Sequence, residues 1–166
     1  PRAVRMRIVE RRCANRGPGT MNIHEYQAKA LLREAGVAVQ DGVHCTSVEQ
    51  ALAAYETLGS EVVAVKSQIH AGGRGKGKLY RPDSGDLVMQ GGVKIAFSRE
   101  DVGEYASNIL GHTLVTKQTG PSGKLVKNLY VEAGCAIAHE YYVAVTVDRK
   151  CQAPVMMVSP EGGMDS

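Results

Sequence analysis

The run Val62-Val63-Ala64-Val65, closed by Lys66 and followed by Gln68-Ile69-His70-Ala71-Gly72-Gly73-Arg74-Gly75-Lys76-Gly77-Lys78, constrains the fold more than any other stretch. Rich in valine and unbroken by polar residues, residues 62–66 read as a strand covered on both faces. The stretch behind it places four glycines and three cations within residues 72–78. Glycine lets backbone N–H groups turn toward an anion with no Cβ in the way, and the cations supply charge. A strand that ends in lysine and opens into such a loop predicts a phosphate grip, and the bland alternative is a solvated turn. The two commonest phosphate loops do not fit. Leu79 follows Gly77-Lys78 where a P-loop needs Ser or Thr, and Gly73-Arg74-Gly75 leads into a basic, proline-containing segment instead of opening a helix.

The 166 residues suffice for one domain with a real core, and the apolar fraction of 43% is that of a globular protein. No apolar run approaches the ~18 residues of a membrane span, which argues against an integral membrane protein. The net charge of +3 misleads. Six of the 20 bases and one of the 17 acids lie in residues 1–20, so the remainder carries 14 bases against 16 acids. Such a body does not read as a nucleic-acid binder. Cys13, Cys45, Cys135 and Cys151 form no Cys-x-x-Cys pair and lack the density of a disulfide scaffold, which favours a reducing compartment. The five histidines are scattered and suggest no zinc site.

Residues 1–20, arginine-rich and ending in Arg16-Gly17-Pro18-Gly19-Thr20, do not read as fold. A matrix-targeting presequence, an upstream stretch read through in error and a disordered arm all remain open. Structure is expected from Met21. Asn22 with Glu25 suggests a capping box ahead of a helix carrying Ile23, Tyr26, Ala30 and Leu31 and stopped by Gly36. Residues 37–39 and 43–45 read as short extended pieces. Thr46 with Glu49 opens a second helix with Val48, Ala51, Leu52, Tyr55 and Leu58 on one face and Gly59 as its stop. Residues 77–92 read as an extended excursion, 93–97 as a strand, and Ser98 with Asp101 as the cap of a helix ending at Gly111. Leu114–Thr119 and Leu129–Ala133 are expected to form one hairpin around Gly120-Pro121-Ser122-Gly123. Tyr141–Asp148 and Ala153–Ser159 are expected to form another. Helices mixed with mostly antiparallel strands predict an α+β fold.

Two carboxylates stand out besides the loop. Glu132 ends the apolar run Val131-Glu132-Ala133, and Glu140 lies eight residues on. Paired carboxylates serve acid–base chemistry or grip hydroxyl groups; two solvated loop acids are the commoner outcome.

Taken together, Met21-Asn22-Ile23-His24-Glu25-Tyr26-Gln27-Ala28-Lys29, Val65-Lys66, His70-Ala71-Gly72-Gly73-Arg74-Gly75-Lys76 and Gly91-Gly92-Val93-Lys94 resemble the β subunits of succinyl-CoA synthetase. Val131-Glu132-Ala133, Glu140-Tyr141-Tyr142, Val147-Asp148-Arg149 and Glu161-Gly162-Gly163 continue the resemblance, which covers about residues 21–163. It implies an ATP-grasp fold, with two α+β lobes holding a nucleotide between antiparallel sheets. The expected domain runs over 21–166 and is incomplete at its C-terminus, with a first lobe at 41–130 and the start of a second at 131–166. Residues 1–20 fall outside it.

By the same resemblance, Lys66 is expected to contact the nucleotide phosphates, and Gly73, Arg74 and Gly75 to fold over them. Glu132 stands at the hinge position that meets the base edge, Cys135 at a neighbouring contact, and Glu140 at the ribose. Cys135 replaces a residue that is often a hydroxyl in relatives. The implied reaction joins succinate and CoA with cleavage of ATP or GTP, reversibly, in the tricarboxylic acid cycle. The phosphoryl group passes through a histidine of an α subunit, in an αβ or α2β2 assembly, so no catalytic residue is expected on this chain. Its task is to position and stabilise the phosphoryl in transit. Mg2+ accompanies the nucleotide, with ligands expected beyond Ser166, so no metal ligand is assigned within this chain and these residues are expected to be inactive alone. A malate–CoA ligase β subunit or another ATP-grasp acyl-CoA ligase, and more remotely a non-catalytic nucleotide- or RNA-binding module, stand as alternatives. Neither nucleic acid nor membrane is an expected partner. A bacterial cytoplasm is the favoured location, with the mitochondrial matrix if residues 1–20 are a presequence.

Overall fold

The computed structural model describes residues 22–160. The extension at 1–20, the start at Met21 and the Glu161-Gly162-Gly163 motif lie outside those residues. Every paired strand among the described residues is antiparallel, in line with the α+β expectation.

The central sheet has four strands: β1 (Gly42–Cys45), β2 (Val63–Ser67), β5 (Val93–Ala96) and β8 (Leu129–Ala133), in the order β1-β8-β2-β5. The strand β2 was expected to be covered on both faces. Its burial instead alternates: Val63, Val65 and Ser67 are buried, while Ala64 and Lys66 are only partly so. Antiparallel pairing sets Val63 opposite Ala133 and Val65 opposite Val131, so one face of the sheet is apolar core and the other borders open space.

The apolar face is covered by α2 (Val48–Leu58), packed on β1 and β8, and by α3 (Arg99–Ile109), packed on β2 and β5. Ala51, Ala54, Val102, Ala106 and Ile109 enter the core with Cys45, Leu129 and Val131. Each large aliphatic side chain buried this way contributes about 1.5–3 kcal/mol. Both helices are bounded by local chemistry. Ser47 Oγ accepts from Gln50 N and Ser98 Oγ from Asp101 N, and Gly59 takes the left-handed conformation that ends α2. The first of these caps was expected at Thr46, one residue earlier.

The leading helix α1 (Glu25–Glu34) also departs from its expected start. His24, not Asn22, is the N-cap, and Gln27 Oε1 accepts from its backbone N–H at 2.8 Å. Gly36 does end the helix, in a Schellman turn with Val37 N donating to Leu32 O and Gly36 N to Arg33 O. None of its residues is fully buried, and residues 37–39 form no strand.

A second sheet has the order β4-β3-β6-β7, with β3 (Lys78–Tyr80), β4 (Leu87–Gln90), β6 (Thr113–Val115) and β7 (Lys124–Leu125). The expected excursion at 77–92 is therefore a β3–β4 hairpin. The expected hairpin of 114–119 with 129–133 does not form, because β6 pairs with β3 and β7, and β8 inserts between β1 and β2. Burial explains the choice: Leu129–Glu132 is too apolar to serve as an edge, and the central sheet covers it on both sides. The lobe break expected at 130/131 falls inside this strand. Strands β9 (Tyr142–Asp148) and β10 (Ala153–Ser159) form the expected second hairpin.

Candidate functional site

The open face of the central sheet carries Ala64 and Lys66 from β2, Tyr130 and Glu132 from β8, and Val93 and Ile95 from β5. Together with the segment Ala133–Ile137 and Glu140, these strands bound a cleft of about 910 Å3. Four of the expected site residues line it: Lys66, Glu132, Cys135 and Glu140. Glu132 is buried, whereas Cys135 and Glu140 are exposed on the wall formed by the segment after β8. Gln40 reaches over from the chain between α1 and β1, and its Nε2 donates to Cys135 Sγ.

Gly73, Arg74 and Gly75 border a smaller adjoining cavity of about 230 Å3, which meets the first at Val93. Gly73 stands at φ 74°, where an L side chain is strained, and it starts a single 3-10 turn over Arg74–Lys76. The turn is pinned to the sheet: Gly92 N donates to Arg74 O at 2.8 Å, and Ser67 N to Gly92 O at 2.8 Å. Arg74 Nη1 also donates to Ser67 O at 2.6 Å.

Lys66 lines the larger cavity and reaches Glu25 on the wall of the smaller one. Its Nζ donates to Glu132 Oε2 at 2.7 Å and to Glu25 Oε1 at 2.6 Å. Arg74 Nη2 donates to Glu25 Oε2 at 2.8 Å, and Lys29 forms an ion pair with Glu132. Buried charge is tolerated only when paired, and each of these five side chains has a partner of opposite charge within the cluster. Burial would raise the Glu25 carboxyl, but the hydrogen bonds and charges of Lys66 and Arg74 outweigh it and hold it at about 2. Lys29 is pushed below the usual lysine range by burial and then by the Lys66 charge, with Glu25 pulling the other way. Three cations against two carboxylates leave the cluster with an excess positive charge, as suits an anion.

Glu25 and Lys29 escaped the sequence reading. Glu25 was assigned only to a capping box, yet its side chain reaches residues 41 and 49 positions away. The available signal was the i, i+4 spacing of Glu25 and Lys29, which sets both on one helix face. Stacked rings hold the start of the helix to β1 and to the loop after β2. His24 lies 4.0 Å from His70 and Tyr26 4.0 Å from His44, centroid to centroid. Burial, then the neighbouring His70, His44 and Arg74, keep His24 below the ordinary histidine range.

No helix among the described residues is long and apolar enough to cross a membrane. No group of three or more His, Cys, Asp or Glu side chains among them converges as metal ligands.

An antiparallel α+β core with a glycine loop beside a lysine-lined cleft defines a nucleotide-grasping architecture. The family model of the ATP-grasp domain matches residues 22–166, and the chain belongs to that family. Among curated relatives it is 54% identical over 145 residues to a protein of Nitrobacter hamburgensis named succinate–CoA ligase (ADP-forming) subunit beta, a match covering 87% of this chain and 36% of that protein. Proteins of the same name from Campylobacter fetus and Ralstonia pickettii are 54% and 55% identical over 145 residues, each covered to 34% of its length. The chain thus spans about a third of the length of the curated relatives it matches.

Proposed function

We propose that this chain is the nucleotide-holding part of a succinate–CoA ligase β subunit. The observation that carries the reading is Lys66: a partly buried ammonium at the junction of a nucleotide-sized cleft and a glycine-rich loop. In this reading the triphosphate of ATP or GTP lies along Lys66 and Arg74 under the backbone of Gly73-Arg74-Gly75. Glu132 and Cys135 meet the base and Glu140 the ribose. The whole protein converts succinate, CoA and nucleoside triphosphate to succinyl-CoA, nucleoside diphosphate and phosphate, and the reverse. The names and identities of the relatives support that assignment, and the word "subunit" in those names supports a complex, which we assign to an α subunit carrying the phosphorylated histidine. A bacterial cytoplasmic location belongs to the same reading, in keeping with the organisms of the relatives.

What these residues contribute is electrostatic and positional. Lys66 and Arg74 offset the charge of the phosphates, and the partly water-excluding cleft strengthens that effect. The described side chains alone do not fit a metal centre, so their part is played by cations and backbone N–H groups.

The test is thioester formation by the complete polypeptide co-expressed with an α subunit, with succinate and malate compared and Lys66→Ala as control. Turnover with succinate that falls at least ~100-fold in Lys66→Ala is expected, the scale of removing one donor from a developing oxyanion. Activity with malate alone moves the protein to the sister ligase. No turnover with either acid by a folded complex refutes the enzymatic reading.

A further inference from the structure

Glu25 is the carboxylate that bridges the two cations assigned to the phosphates, with one oxygen on Lys66 and the other on Arg74. We propose that Glu25 holds the position between Lys66 and Arg74 that a nucleotide phosphate takes, so that nucleotide binding exchanges one anion for another and displaces helix α1. The proposal rests on the nucleotide reading above and adds a device to it: a built-in competitor for the phosphate.

Three observations support displacement. First, both cations keep a second partner when Glu25 leaves. Lys66 remains on Glu132 at 2.7 Å, and Arg74 remains on the Ser67 carbonyl at 2.6 Å. They stay aimed at the site, and Glu25 is the exchangeable member. Second, Glu25 rides on the helix least committed to the fold. No residue of α1 is fully buried, and Leu31 and Leu32 are exposed. Apart from Glu25, the helix is tied by polar and ring contacts: the two ring stacks, Lys29 on Glu132 and Gln40, Arg33 on Asp41 at 2.9 Å and on the Gln40 carbonyl at 3.1 Å, and Tyr26 N on Gln68 Oε1 at 3.4 Å. Third, protonation does not clear the site. With its carboxyl held at about 2, Glu25 stays charged throughout the physiological range, so its release calls for something other than a proton, and a competing anion answers. A phosphate offers more charge and more acceptor oxygens than a carboxylate, which favours the exchange.

The device has a direction. A residue that merely braces Lys66 and Arg74 weakens nucleotide binding when removed, whereas a competitor strengthens it. Calorimetric titration of the complete polypeptide with ATP and with adenosine, in wild type and Glu25→Gln, separates the two. Tightening of ATP by about ten-fold or more, the scale of a hydrogen bond to a charged group, is expected. Adenosine, which lacks the phosphates, is expected to bind both proteins alike. ATP affinity that is unchanged or weaker in Glu25→Gln, while wild type binds ATP, overturns the competition and leaves the nucleotide reading standing. Failure of wild type to bind ATP overturns both. A second measurement needs no variant: amide hydrogen exchange over residues 25–34 is expected to accelerate when ATP is added to wild type. Unchanged or slower exchange there overturns the displacement of α1.

Discussion

Lys66 and Glu132 meet on the diagonal of two antiparallel strands. Lys66 stands opposite Tyr130 and Glu132 opposite Ala64, yet Lys66 Nζ reaches Glu132 Oε2 at 2.7 Å. Both point away from α2 and α3 because the strand period is two, so a one-residue slip of β8 would send Glu132 into the apolar core. The ion pair therefore reports the register of the whole sheet.

Lys66→Met leaves Glu132 buried with Lys29 as its remaining cation. We expect a loss of about 1–3 kcal/mol of stability. Adding Glu132→Gln removes the stranded charge, so the double variant is expected to lose less than the sum of the two single changes. Urea unfolding of the four proteins as a double-mutant cycle measures the coupling. Strict additivity would show the pair to be energetically idle.

Stability should fall in acid through Glu25. Its carboxyl is held at about 2 in the fold against an ordinary 4.5. A depressed carboxyl contributes stability above its unfolded value and loses it as pH drops toward the folded one. The contribution, on the order of 2 kcal/mol after allowing for its partial exposure, is complete above about pH 5 and disappears as the pH falls to about 2. Unfolding free energies followed over that window should slope in wild type and lose that part of the slope in Glu25→Gln.

Gly92→Ala should loosen the glycine turn. An added Cβ would lie 2.7 Å from Leu114 Cδ2, 2.7 Å from Ser67 Oγ and 3.2 Å from the Arg74 carbonyl. Leu114 is fully buried and cannot swing away. A destabilisation of about 1–3 kcal/mol is expected, together with weaker nucleotide binding as the Arg74 turn is pushed off the sheet. Thermal unfolding and ATP titration of the same variant check the two effects.

Thiol labelling offers a map of the cleft. Cys45 is buried, with its thiol pushed up to about 11, so it should resist alkylation. Cys135 on the cleft wall and Cys151 in the turn between β9 and β10 are both exposed. Maleimide labelling located by mass spectrometry is expected to mark both, and ATP to slow Cys135 alone. Equal rates with and without ATP at Cys135 would place the nucleotide elsewhere.

What the sequence disclosed and what it hid follow from distance along the chain. Gly59 and Ser98 act on residues within four positions, and their roles were legible. The strand at Leu129–Ala133 was legible too, but its partners β1 and β2 lie more than 60 residues away, and a nearby turn suggested a closer one. Alternation along Val63–Ser67 was masked because Ala64 is apolar although it faces the cleft. Of the candidate site, Lys66 and Glu132 could be singled out, since a charge at the end of an apolar run is conspicuous. Glu25 was hidden, because its one local signal, the i, i+4 spacing with Lys29, does not distinguish a carboxylate that bridges two distant cations from one that favours a helix start.

The way α1 is fastened sets its thermal behaviour. Rings stacked face to face and ion pairs hold it, with no fully buried side chain, so its release uncovers little apolar surface. The heat-capacity change of that release is correspondingly small, and the enthalpy and entropy of detachment drift little with temperature. A cell that warms or cools by ten degrees would shift the stability of the hydrophobic core along the usual curve, while the latch beside the glycine loop kept nearly the same setting.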